Sequence, residues 1–81
     1  MGEVFSTTDT ALATYLITCG IPLSGINYSE PRFSFSFTDA QAKILADEYV
    51  AGRSLTEPNA FNRVNRKLLR ILSKRCQWED D

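Results

Sequence analysis

Six of the nine basic residues of the chain lie in one segment near its carboxyl end, from about 59 to 76, and no acidic residue interrupts them. The rest of the chain carries three basic and ten acidic residues, a net charge of −7. Gathered guanidinium and ammonium groups can neutralise the phosphates of a nucleic acid or the carboxylates of an acidic protein. The overall charge of −1 therefore hides a strongly divided molecule.

The segment has the periodicity of an amphipathic helix. At 100 degrees per residue, five apolar residues fall within about 100 degrees of one another and would face a core. These are Phe61, Val64, Leu68, Ile71 and Leu72. Five basic residues form a second arc on the far side. These predicted contacts for nucleic acid or an acidic partner are Arg63, Arg66, Lys67, Arg70 and Lys74.

The basic face also has a purely structural interpretation. Lys74 and Arg75 favour the macrodipole at the carboxyl end of the helix, and long basic side chains commonly coat a solvated helix face. Some of the basic residues could form ion pairs with Asp47 and Glu48, or with the acidic tail at 79–81. An isoelectric point near 5.3 argues against general affinity for nucleic acid. Both interpretations stay open at this point.

The composition argues against an enzyme. The chain has no histidine, so the commonest general base and metal ligand is absent. The four glycines stand apart and form no phosphate-binding loop. The sequence therefore predicts no catalytic residue, no metal ligand set, no cofactor and no small-molecule substrate.

The two cysteines, Cys19 and Cys76, are 57 positions apart and form no C-x-x-C pair. We expect both to be reduced, as small apolar residues near helix ends, and a bridge between them is the less favoured alternative. The chain has no apolar run of the roughly 18 residues that a membrane span requires, and no signal peptide at its N-terminus. These features predict no membrane association and a cytoplasmic location.

The elements that would position the basic helix follow from caps and periodicities. Thr7, Thr8 and Asp9 offer N-cap chemistry for a helix over about 9–19, which Gly20 would end. A ragged alternation from Leu23 to Tyr28 predicts an edge strand. After a turn at 29–32, alternating phenylalanines predict a second strand with its rings on one side. These are Phe33, Phe35 and Phe37.

Two helices complete the chain. Thr38 and Asp39 would cap a helix over about 40–51, with Ala51 and Gly52 at its end. Its predicted apolar stripe consists of Ile44, Leu45, Tyr49 and Val50. A connector over 53–57 leads to Pro58 in the first turn of the basic helix. The predicted fold class is α+β, a single domain over 1–81. Its order is helix, strand, strand, helix, helix, with an antiparallel β-hairpin packed against helices. The ordered core would span about 5–76, followed by an acidic tail over 77–81.

Short motifs in this order resemble a known group of sequences. They are Thr7-Thr8-Asp9, Leu12-Ala13, Tyr15-Leu16, Gly20, Arg32, Phe35-x-Phe37-x-Asp39, Tyr49-x-x-Gly52, Pro58-x-x-Phe61 and Leu68. Together they resemble an uncharacterised family of short bacterial and phage-associated domains, a domain of unknown function. The resemblance implies a cytoplasmic, phage-derived accessory protein, and it transfers no catalytic residue.

The sequence predicts a non-enzymatic interaction module. A chain of 81 residues has a thin core, which favours self-association or docking to a protein partner. The alternative is backbone-directed binding of nucleic acid through the basic helix face.

Overall fold

The computed structural model describes residues 4–28, 33–52 and 57–78. Within them the chain forms β1 (Phe5–Thr7), α1 (Thr10–Thr18), β2 (Gly25–Asn27), β3 (Ser34–Phe37), α2 (Gln41–Val50) and α3 (Pro58–Lys74). The predicted α+β class and the antiparallel hairpin are confirmed, and β1 is an additional strand. The turn at 29–32, the connector at 53–56 and the acids at 79–81 lie outside the described residues.

The three strands form one antiparallel sheet in the order β1-β3-β2. Phe5 lies opposite Phe37, and Ile26 lies opposite Phe35, so the phenylalanine strand runs through the middle of the sheet. Phe35 and Phe37 are fully buried in a core shared with the helices, while Phe33 packs at the edge of this core. Because β3 is the central strand and its Phe35 and Phe37 side chains are buried, it contributes most of the apolar face of the sheet.

Helix α1 contacts both other helices and strand β1. Asp9 caps its first turn by accepting hydrogen bonds from the backbone N–H groups of Ala11 and Leu12. Gly20 ends it with a φ of +95°, and the Ile21 N–H bonds to the Leu16 carbonyl, the pattern of a Schellman motif. The predicted cap and stop are therefore confirmed.

The packing face of α2 differs from the expected one. The stripe of large apolar residues was wrong at two positions, because Ile44 and Val50 are 56% and 80% exposed. The buried residues are Ala42 and Ala46, whose small side chains let helices approach closely. The side chain of Asp39 accepts a hydrogen bond from the Gln41 N–H at 2.8 Å, so this residue does support the helix start.

Helix α3 begins at Pro58, as expected. Glu57 caps its first turn, because its side chain accepts a hydrogen bond from the Ala60 N–H. It packs against α1 through its apolar stripe, of which Leu68 and Leu72 are buried. A polar contact joins the same two helices, since the buried Thr14 hydroxyl lies 3.3 Å from Asn65 Oδ1. This packing turns the basic arc of α3 outward.

Candidate binding site: the basic face of helix α3

The structure groups three arginines of α3 around one open groove. Arg63, Arg66 and Arg70 are exposed and line a groove of about 430 Å³. Their spacing of three and four residues places them on one ridge, about 10 Å long at a rise of 1.5 Å per residue. We call these three residues the arginine ridge.

The other two predicted contact residues are placed differently. Lys67 is half-buried, and its Nζ lies 4.4 Å from the centre of the Trp78 ring. Lys74 is exposed in the last turn of α3, where its charge favours the helix macrodipole. The five residues therefore share one helix face, as predicted, but the structure brings only three of them together around the groove.

No carboxylate of the described residues forms an ion pair with the arginine ridge. In the part of the chain that the structure describes, the observed ion pair joins Lys43 to Asp47 on α2, with 3.6 Å between Nζ and Oδ2. The expected ion pairing of Asp47 with the basic face is therefore not supported by the contacts, because Asp47 pairs with Lys43. The other suggested counter-charge, the tail at 79–81, lies outside the described residues.

The segment after α3 folds back onto the edge of the sheet. Arg75 ends the helix with a φ of 55°, and its guanidinium lies over the Tyr28 ring at 4.9 Å and donates to the Tyr28 carbonyl. The Tyr28 hydroxyl in turn donates to the Cys76 carbonyl at 2.5 Å. Gln77 then pairs with the backbone of Ile26. We call residues 75–78 the C-terminal clamp.

The clamp was missed in the sequence, where Gln77 and Trp78 were assigned to the tail. The structure joins Gln77 to β2 and packs Trp78 against the core. A tryptophan within four residues of a helix end is a signal that could have indicated this contact, because so large an apolar surface is rarely left in water. The clamp fixes the position of an aromatic ring beside the basic face.

Two tyrosines have altered acidity. Burial, a hydrogen bond with Cys19 and the nearby charges of Cys19 and Glu48 raise the pKa of Tyr15 to about 12. Burial also raises the pKa of Tyr28, with Cys76 adding to the rise and Arg75 opposing it. Both groups are neutral at physiological pH, so neither acts as a base.

Other chemistry finds little support in the described residues. They contain no cluster of three or more cysteines and carboxylates close enough to hold a metal ion. Cys19 and Cys76 are free and exposed, so each lies at a helix end as expected but does not serve as a buried apolar residue. None of the helices seen here is long and apolar enough to cross a membrane.

Comparisons with known proteins gave no match for this chain. No protein-family model matches the chain, and neither the curated proteins nor the solved structures include a significant match. The resemblance to a family of phage-associated domains stays a prediction.

Proposed function

We propose that this chain is a small non-enzymatic binding module that binds the phosphate backbone of a nucleic acid through the arginine ridge of α3. The observation that carries the proposal is the groove shared by Arg63, Arg66 and Arg70, whose charges no described carboxylate neutralises. A cytoplasmic, phage-derived accessory role is compatible with this function and is part of the same proposal.

Arginine suits this ligand because its planar guanidinium can donate two parallel hydrogen bonds to one phosphate. A ridge of three arginines along about 10 Å of helix can meet successive phosphates of a strand. The contacts go to the backbone, so we expect little dependence on base sequence.

The acidic remainder limits the strength of binding. Outside the 59–76 segment the net charge is −7, and this field repels a polyanion at distances within the Debye length. We therefore expect measurable affinity at low salt and steep weakening as salt is added. This behaviour separates backbone binding from docking to an apolar partner surface.

Fluorescence anisotropy of a labelled oligonucleotide at low salt tests the proposal. We expect saturable binding that weakens about fivefold in Arg66→Ala and in Arg70→Ala, because each variant removes one charge-assisted phosphate contact. The matched control is Lys43→Ala, which changes the net charge equally on the exposed side of α2. We expect this control to bind within about twofold of the parent chain.

Two results would remove the proposal. One is the absence of any binding at low salt. The other is equal affinity of Arg66→Ala, Arg70→Ala and Lys43→Ala, which would show that only total charge matters.

A second candidate function, self-association, is favoured by the uneven edges of the sheet. Gln77 covers the Ile26 edge of β2, whereas β1 forms the opposite edge next to Val4, which is 60% exposed. Two copies could pair their β1 strands antiparallel about a two-fold axis. Light scattering over a range of concentrations, with Val4→Lys as the edge-blocking variant, tests this candidate, and a monomer at every concentration would refute it.

A further inference from the structure

A single tryptophan stands beside the basic face of α3. Trp78 is the only tryptophan of the chain, and Lys67 Nζ lies 4.4 Å from its ring centre. Lys67 neighbours Arg63 and Arg70 on the helix, at spacings of four and three residues, and Lys74 lies two turns further along the same face. The indole is therefore in contact with one residue of the basic face, and that residue is a helix neighbour of two members of the arginine ridge.

The C-terminal clamp holds this ring in place. The Gln77 side chain makes two hydrogen bonds of 2.8 Å with Ile26, and the Tyr28 hydroxyl binds the Cys76 carbonyl. Trp78 follows directly and packs against the core while keeping part of its surface in solvent. A ring fixed in this way loses little conformational freedom when a ligand stacks on it.

The other aromatic rings near the sheet are poorly placed for the same role. Phe35 and Phe37 are fully buried, and Tyr15 is 4% exposed. The cation over the Tyr28 ring is Arg75, which is not one of the five residues of the basic face, and the ring also meets Phe33 edge to face at 5.5 Å. Trp78, by contrast, is in contact with Lys67 of the basic face.

We propose that the ligand of this surface is single-stranded nucleic acid, with its backbone along the arginine ridge and one base stacked on Trp78. This inference rests on the proposed function and specifies its ligand. The Lys67 ammonium, which lies over the ring in the free protein, moves onto a phosphate when the base takes its place. The exchange is favourable because a base stacks more strongly than a partly hydrated ammonium, and the ammonium gains an anionic partner.

The charge distribution favours one strand over a duplex. A duplex carries a phosphate charge for about every 1.7 Å of its axis, twice the charge density of one strand, so the net charge of −7 outside the 59–76 segment repels it more strongly. A single strand can follow one helix face and turn a base toward Trp78. Bases of a duplex are stacked on one another and cannot reach the ring without unpairing.

The test uses the full chain and three ligands of equal length: a single-stranded oligonucleotide, an abasic strand with the same number of phosphates, and a duplex. Binding is measured by anisotropy, and stacking is measured by quenching of the intrinsic fluorescence of Trp78. We expect the base-containing strand to quench the tryptophan and to bind about tenfold more tightly than the abasic strand. The duplex should bind more weakly than the single strand.

Substitution of the ring gives a second readout. Trp78→Leu should reduce binding of the base-containing strand to the level of the abasic strand, and Trp78→Phe should keep most of the difference. Circular dichroism shows whether each variant folds. If Trp78→Leu does not fold, the affinities of the parent chain for the base-containing and abasic strands still test whether a base stacks on Trp78.

The outcomes separate this inference from the proposal on which it rests. Equal affinity for the base-containing and abasic strands, or binding without quenching, would overturn the stacking inference and leave backbone binding intact. Tighter binding of the duplex would also overturn it. The absence of binding to all three ligands would overturn both.

Discussion

The side-chain amide of Gln77 takes the place of a neighbouring strand beside Ile26. Its Oε1 accepts a hydrogen bond from the Ile26 N–H and its Nε2 donates one to the Ile26 carbonyl, both at 2.8 Å. A backbone N–H can only donate and a carbonyl can only accept, so the pairing fixes the orientation of the amide. One side chain thereby satisfies the outward backbone groups of an edge strand.

We expect Gln77→Ala to lower the free energy of unfolding by about 1 kcal/mol, because both backbone groups of Ile26 lose a partner and must rely on water. Urea denaturation followed by circular dichroism measures the change. The matched control is Gln41→Ala, which truncates an exposed glutamine in the first turn of α2. Equal stability of the two variants would show that the Gln77 pairing contributes nothing.

The left-handed residue at the end of α3 gives a second prediction. Arg75 has a φ of 55°, a conformation that costs a residue with a side chain about 1 kcal/mol and costs glycine almost nothing. Arg75→Ala and Arg75→Gly both lose the contacts with Tyr28. We therefore expect Arg75→Gly to be the more stable of the two by about 1 kcal/mol in urea denaturation, and the reverse order would contradict the left-handed conformation.

Alkaline pH should destabilise the fold through Tyr15. Burial is the first cause of its raised pKa of about 12, against 10.0 for an ordinary tyrosine. The folded state therefore keeps a proton that the unfolded state releases. The resulting stability is present below pH 10 and is lost as the pH rises toward about 12.

We expect the parent chain to lose stability more steeply than Tyr15→Phe over this range, as measured by denaturant unfolding at a series of pH values. Tyr28 contributes with the same sign in both proteins, because its pKa is also raised. Parallel curves for the two proteins would show that Tyr15 does not hold its proton more tightly in the fold.

The acids Glu79, Asp80 and Asp81 follow Trp78 directly in the sequence. Their charges can therefore compete with phosphates near the basic face. Replacing Glu79 by Gln and both Asp80 and Asp81 by Asn should tighten oligonucleotide binding several-fold at low salt and much less at high salt. Unchanged affinity at low salt would show that these acids do not compete.

Local signals in the sequence predicted most of the fold. Asp9 and Gly20 mark the ends of α1 through cap chemistry that depends on nearby backbone groups alone. The alternation of Phe35 and Phe37 predicted β3 for a similar reason, since a period of two needs no tertiary information. These elements form as predicted.

The elements that sequence analysis missed depend on distant contacts. Strand β1 has only three residues, too few for a period, and it exists because Phe5 pairs with Phe37. The buried face of α2 consists of Ala42 and Ala46, whose importance depends on how closely α1 approaches. The large apolar side chains of Ile44 and Val50 predicted a different buried face, but both side chains are exposed to solvent.

The candidate site was predictable in composition but only in part in arrangement. A helical wheel places five basic residues on one face, which requires only the helix period. It could not show that Lys67 lies against Trp78, because that contact depends on a chain reversal fixed by Gln77. The grouping of Arg63, Arg66 and Arg70 around one groove, by contrast, follows from their helical spacing.

The most direct test of the central claim is the salt dependence of single-strand binding. If the arginine ridge, Lys67 and Lys74 neutralise about five phosphates, the logarithm of the association constant should fall with the logarithm of salt concentration with a slope near −3.5. Arg66→Ala should make this slope less steep by about 0.7, and Lys43→Ala should leave it unchanged. A slope near zero, or the same slope for Arg66→Ala as for the parent chain, would contradict phosphate binding by the arginine ridge.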